Sequence, residues 1–199
     1  MWNGDVSLNT TIWKEVIAAE TIDFFNSPAI NATGLNGHGT VTFNGTDQYG
    51  QNTTAPIYTQ PLTIYFVVNQ ITWSGATILD CGNVPSAGNL MALQQNGASP
   101  SLRIRNQSNI ILSPDLPVNT WGIITMVFNG ANSEIRLNLN SAVTGSIGSG
   151  DSSGITLADF NGLGVNANIS TAYIIYRDVA DNTSKQNQYI NFLKNRFAI

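Results

Sequence analysis

The 199-residue sequence predicts an all-β, antiparallel fold, a sandwich or barrel, with one helix at its C-terminal end. Three observations carry the prediction. Hydrophobicity repeats every second residue, turn clusters separate short apolar runs, and a single stripe of helical period closes the chain. Strands do not alternate with long helices, which disfavours a parallel α/β fold. No fixed-period repeat points to a propeller or solenoid.

The first forty residues are the least regular. Trp13 and the pair Phe24, Phe25 are expected to cover one end of the body, and Gly, Asn and Pro28 mark this part as loop-like, with no linker. Residues 40–43 (Thr, Val, Thr, Phe) then alternate, as do residues 134–139, placing apolar side chains on one face of a sheet. Residues 62–68 and 123–128 are nearly continuous apolar runs. They read as central strands covered on both sides, or with one face lining a groove. Turn signals lie between them at residues 44–47, 74–75, 85–88, 96–97, 129–130 and 148–151, several being the Asn-Gly pair that supplies positive φ. At the end, Asp181, Asn182 and Thr183 are all competent N-caps. Ile190, Leu193 and Phe197 follow as one apolar stripe beside Tyr189, and Lys194 and Arg196 suit the negative end of a helix. The stripe needs a surface to cover, and the strand at residues 173–176 belongs to the expected one. The chain is expected to be one domain over residues 1–199.

Composition excludes several classes. Hydrophobic residues are 42% and charged residues 10% of the chain, against roughly 25% charged in ordinary domains. The surface is therefore polar but mostly uncharged. The net charge is −4 and basic residues come no closer than Arg103 with Arg105, two apart, so the converging cations that a nucleic acid demands are missing. No run approaches the ~20 apolar residues that span a bilayer, so no membrane partner is expected. The start, Met1 to Asp5, carries no visible signal peptide. Cys81 is the single cysteine; it cannot form an intrachain disulfide and reads as a small core hydrophobe.

Three segments together resemble the laminin G-like members of the concanavalin A-like lectin/glucanase superfamily, as found in bacterial and phage surface proteins. Residues 36–49, with Phe43, Asn44, Gly45 and Asp47, look like its early strand and turn. Residues 61–69 followed by 75–82 are similar to its strand pair ending in a small residue and glycine. Residues 173–179 and 189–199 look like its closing strand and terminal helix, and Trp121 stands where members often start a central strand. The chain departs from the pattern where Thr183, Ser184 and Lys185 replace an early helical acid, and where Ala198 replaces a glycine. The resemblance implies a two-sheet jelly-roll sandwich with one C-terminal helix. It does not imply a function, because functions are grafted onto folds.

The superfamily's glucanases carry Glu-x-Asp-x-x-Glu on one strand, and this chain has no such run. Its glutamates are Glu15, Glu20 and Glu134, so two carboxylates flanking a glycosidic bond are not expected. His38, the one histidine, supplies neither a zinc site nor a Ser-His-Asp triad and reads as a loop residue bonded to local backbone. The expectation is therefore that the chain is not an enzyme. Many relatives hold calcium at the sandwich rim, which points to Asp47, or to Asp178 with Asp181, as oxygen ligands for a hard cation. The competing reading has Asp47 fixing a turn and Asp181 capping the helix. Trp73, Tyr49 and Tyr58 lie at strand ends or in loops and are the candidate rings for stacking on a sugar's C–H face; Trp121 reads as core, and Trp73 could equally be exposed or packed. Seven Asn-x-Ser/Thr triplets, among them those at Asn9 and Asn44, arise by chance in so Asn- and Thr-rich a chain.

Two functions remain. One is a recognition module binding a glycan or cell-surface polymer, displayed outside the cell or on a phage virion. The other is a structural or decoration protein packed on a larger assembly or on copies of itself.

Overall fold

The computed structural model describes residues 2–3, 12–14, 21–52, 58–81, 91–106, 109–112, 115–160 and 163–199, with side-chain environments from residue 21 onward. The expected turn at 85–88, Asn9, Glu15, Glu20 and the Trp13 side chain lie outside what is described.

The strands in chain order are β1 (Trp2–Asn3), β2 (Ile12–Lys14), β3 (Thr21–Phe25), β4 (Ala29–Leu35), β5 (His38–Asn44) and β6 (Tyr49–Asn52). β7 (Leu62–Gln70), β8 (Thr77–Asp80), β9 (Met91–Gln95), β10 (Leu102–Asn106) and β11 (Asn109–Leu112) follow. The last are β12 (Trp121–Phe128), β13 (Ser133–Leu137), β14 (Val143–Gly145), β15 (Ile155–Leu157) and β16 (Asn168–Arg177), before helix α1 (Thr183–Phe197). They form two antiparallel sheets. The first runs β14-β13-β12-β7-β16-β5-β4, with β1 also paired to β16; the second runs β11-β10-β9-β8-β15-β6-β3-β2. The fold is an all-β sandwich with one C-terminal helix, as predicted.

Residues 21–35 correct the loop-like reading of the early chain: they are two strands. Asn36 and Gly37 join β4 to β5 in a two-residue hairpin, with Leu35 paired to His38 and φ of 49° and 79° at the turn. Positive φ at both positions is what such a hairpin demands, so the Asn-Gly pair explains the strand before it as well as the one after. His38 is consequently the first residue of β5 and not a loop residue, its ring edge-on to Phe197 at 5.2 Å. β13 also ends earlier than the alternation implied. Asn138 takes φ of 51°, and Leu139 is 41% exposed.

The main core fills the space between the sheets. Phe43, Ile64, Phe66, Ile124 and Phe128 from the first sheet meet Ile22, Leu79, Leu93, Ile104 and Leu157 from the second. Cys81 is buried in it as a free thiol, and burial pushes its pKa well up. The nearly continuous apolar runs are explained by a second cluster on the outer face of the first sheet. There Tyr65, Val67, Ile123, Tyr173 and Ile175 are covered by Ile190, Leu193 and Phe197 of α1. Residues of β7 thus alternate between two buried surfaces, and polarity has no face to mark. Trp121 packs against this outer cluster and is half-buried.

The structure uses Asn182 as the N-cap. Its side chain accepts from Lys185 N at 3.0 Å. At the other end Ala198 sits in the left-handed region at φ 55°, its N–H bonded to Lys194 O. None of the described helices is long and apolar enough to cross a membrane.

Candidate functional site

The register divides the predicted site residues between the two ends of the sandwich. At the end where β7 finishes, Asn69 pairs with Trp121 and Gln70 with Ile169. There β5 leads through the 45–48 turn into β6, β3 closes beside Tyr49, and β15 leaves at Leu157. Tyr49, Asp47 and Trp73 belong to this end. Tyr58, Asp178 and Asp181 belong to the opposite one. The three rings therefore do not share one platform.

The rim turn is built by Asn44. Its Oδ1 accepts from Thr46 N (2.8 Å), Asp47 N (3.2 Å) and Gln48 N (3.4 Å), while its Nδ2 donates to Asp47 Oδ1 at 2.9 Å. Gly45 has φ of 72°, and a Cβ there would meet the Asn168 backbone nitrogen at 2.9 Å, so both conformation and space call for glycine. Asn26 Nδ2 donates to Asp47 O at 2.7 Å, and Gln48 Nε2 donates to the carbonyls of Asn26 and Ser27, tying this turn to the end of β3.

Facing it is the loop after β15. Asp159 is buried, and its carboxylate gathers the backbone N–H groups of Phe160 (2.7 Å), Val165 (2.7 Å) and Gly164 (3.4 Å). Asn166 Nδ2 donates to Gln48 O at 3.3 Å and links the two loops. Its Oδ1 is buried without a hydrogen-bond partner, an unusual state for an acceptor with two lone pairs.

Between the loops lies a cleft of about 210 Å³ lined by Thr46, Asp47, Tyr49, Asp159, Gly164 and Asn166. Tyr49 stacks on Phe25 at 4.5 Å with 9° between the rings, and Phe25 is 39% exposed. An aromatic surface, an exposed carboxylate and an amide oxygen seeking a donor thus meet at one rim. A polyol presents a C–H face to such rings and hydroxyl donors to such oxygens.

The outer face of the second sheet continues from Tyr49. Gln51 Nε2 donates to Thr156 Oγ1 at 3.2 Å, and Arg103 donates to Gln94 Oε1 from Nε (3.1 Å) and Nη2 (3.0 Å). Burial and the neighbouring Arg103 lower the pKa of Arg105. Sequence reading missed Phe25, Asp159 and Asn166 as site residues. Asp159 opens an Asp-Phe-Asn-Gly turn signal that could have been noticed; Asn166 has no local signature.

The remaining predicted residues do not line this cleft. Trp73 is half-buried against the main core, and its Nε1 donates to Gly97 O at 3.0 Å, pinning the β7–β8 loop to the β9–β10 turn. Tyr58 lies against Tyr176 at 5.0 Å and bridges Ser152. Asp178 is exposed. Asp181 Oδ2 accepts from Tyr65 OH and from Arg177 Nε, each at 2.7 Å, in a largely buried ion pair beside the helix start. Among the described residues, no three His, Cys, Asp or Glu side chains gather as a metal-holding group.

No family model and no curated protein matches the sequence. Solved structures do share the fold. Trypanosoma rangeli sialidase matches with a TM-score of 0.72 at 11% identity, over 98% of this chain and 32% of that one. A GH54 α-L-arabinofuranosidase, as an E221Q mutant soaked with 4-nitrophenyl α-L-arabinofuranoside, matches at 0.71 and 12% identity, over 91% of this chain and 50% of that one. The binding domain of Paraclostridial Mosquitocidal Protein 1 matches at 0.69 and 15% identity, over 98% and 52%. The chain thus spans about a third to a half of these proteins, and at such identities the likeness is one of fold. It corrects the expectation that the chain is not an enzyme, since the same fold occurs within a sialidase and an arabinofuranosidase. That expectation rested on a missing carboxylate pair, a test that does not cover all glycosidases: sialidases use a tyrosine nucleophile.

Proposed function

We propose that the chain is a laminin G-like recognition module that binds a glycan or cell-surface polymer at the rim cleft. The observation that carries this reading is the stacked Phe25–Tyr49 pair set beside Asp47 and the unpartnered Oδ1 of Asn166. Both loops are held by their own hydrogen bonds, so little ordering accompanies binding. The sialidase and the arabinofuranosidase of like fold support a sugar as the ligand class. Asp47 is an exposed carboxylate able to contribute to calcium binding at this rim, whereas Asp181 is buried and already accepts from Arg177 and Tyr65. The polar, weakly charged surface suits display on a virion or outside a cell.

The test is a glycan array followed by calorimetry, with calcium and with a chelator, on wild type, Tyr49→Ala and Asp47→Asn. Both substitutions should weaken binding about tenfold or more, or ~1.4 kcal/mol. A wild type that binds no glycan in either condition, or variants that bind undiminished, would overturn the reading.

The assembly role has separate support. Ile110 and Leu112 are 44% and 50% exposed on edge strand β11, and Phe192 is 45% exposed on α1. A concentration-dependent oligomer in light scattering, broken by Leu112→Lys, is the outcome that reading requires.

A further inference from the structure

A second cavity lies on the far face of the first sheet, beneath the start of α1 and away from the rim. It encloses about 250 Å³ and is lined by Arg136, Leu139, Asn140, Ser141, Thr183 and Gln186, with Ala142 beside them. Arg136 is only 7% exposed, yet no carboxylate pairs with it among the described residues. Its Nε donates to Asn140 O (2.7 Å), its Nη2 to Leu139 O (3.2 Å) and its Nη1 to Gln186 Oε1 (3.4 Å). A guanidinium has five N–H donors, so two remain without a protein acceptor.

Glu134, on the same face of β13, meets Arg136 only through the Gln186 amide and makes no direct ion pair with it. Gln186 Nε2 donates to Glu134 Oε1 and to Asp181 O, which leaves its neutral Oε1 for Arg136. Glu134 lines a neighbouring recess with Asp181 and Asn182 rather than this one. The first turn of α1 holds no acidic residue, so the positive end of the helix dipole adds to the same field. The hydroxyls of Ser141 and Thr183 stand at the cavity wall, and both residues are exposed. A buried cation is unfavourable unless an anion answers it, and carbonyl oxygens answer it only in part.

We propose that this cavity is a second binding site, taking the carboxylate of a small acidic sugar such as a uronate. The two unengaged N–H groups of Arg136 would meet the carboxylate oxygens, and the hydroxyls of Ser141 and Thr183 those of the sugar. The site shares no residue with the rim cleft and stands apart from it.

Calorimetry and thermal melting with sodium glucuronate test the proposal, against glucose and sodium chloride at matched concentration and ionic strength. Glucuronate should bind saturably and raise the melting temperature; glucose should do neither. Because Arg136 variants risk the fold, the deciding substitution is Thr183→Glu, which places a carboxylate at the cavity and suits a helix N-terminus. It should keep or raise the melting temperature in buffer while weakening glucuronate at least tenfold. Tyr49→Ala should leave glucuronate binding unchanged, which separates this site from the rim. The proposal is overturned by no glucuronate binding, by undiminished binding in Thr183→Glu, by loss in Tyr49→Ala, or by inorganic phosphate binding more tightly than glucuronate.

Discussion

Single side chains in this protein do work that their neighbours in sequence do not announce. Asn44 organises a whole rim turn through one amide, and Asp159 does the same for the facing loop through three backbone N–H groups. Ala198 shows the reverse case, a side chain that hinders. It holds φ of 55° at the end of α1, a conformation that costs a residue with a Cβ about 1 kcal/mol or more. Ala198→Gly should therefore raise stability by about 1 kcal/mol, allowing for glycine's extra freedom in the unfolded chain. A higher urea midpoint at unchanged slope checks this; a lower midpoint would show that the αL cap is not the chain's solution state.

At the scale of elements, helix and sheet explain each other. α1 presents Ile190, Leu193 and Phe197 because β7, β12 and β16 present Tyr65, Val67, Ile123, Tyr173 and Ile175. Neither surface is stable in water without the other. Phe197 is buried against Tyr173 at 5.8 Å and carries the His38 ring on its edge. Phe197→Ala should cost about 3 kcal/mol, the range of aromatic truncations in a core, seen as a fall in denaturation midpoint. A change under about 1 kcal/mol would mean the helix contributes little to the sandwich. Periodicity showed the stripe on α1 plainly, and it showed the strands wherever one face is wet. It failed for the early chain because residues 29–35 form a mostly exposed strand with no apolar alternation to read.

For the molecule as a whole, burial of tyrosines couples the fold to alkaline pH. Burial, aided by the hydrogen bond to Asp181, raises the Tyr65 pKa far above its usual value. Burial alone pushes Tyr173 up to about 12, and burial with the Cys81 thiol beside it raises Tyr176 well above the ordinary range. An unfolded tyrosine ionises near pH ~10. Each folded pKa is higher, so this stability is complete below about pH 10 and is lost as pH climbs through the folded values. Phenolate absorbance from Tyr65, Tyr173 and Tyr176 should thus appear together with loss of the circular dichroism of the sheets. These are half of the chain's six tyrosines, so full phenolate absorbance in a chain with native dichroism would refute the argument.

The sequence by itself determined the fold class, the closing helix, the buried Cys81 and the polar, weakly charged surface. These follow from period, turn chemistry and composition, which act between near neighbours. Only the tertiary structure decided which rings and acids meet. Tyr49 and Asp47 join Phe25 and Asn166 because strand register brings β3, β6 and the loop after β15 to one end. Tyr58 and Asp181 go to the other end by the same register. The Arg136 cavity likewise exists only because α1 folds back over β13, a long-range placement that no local pattern encodes.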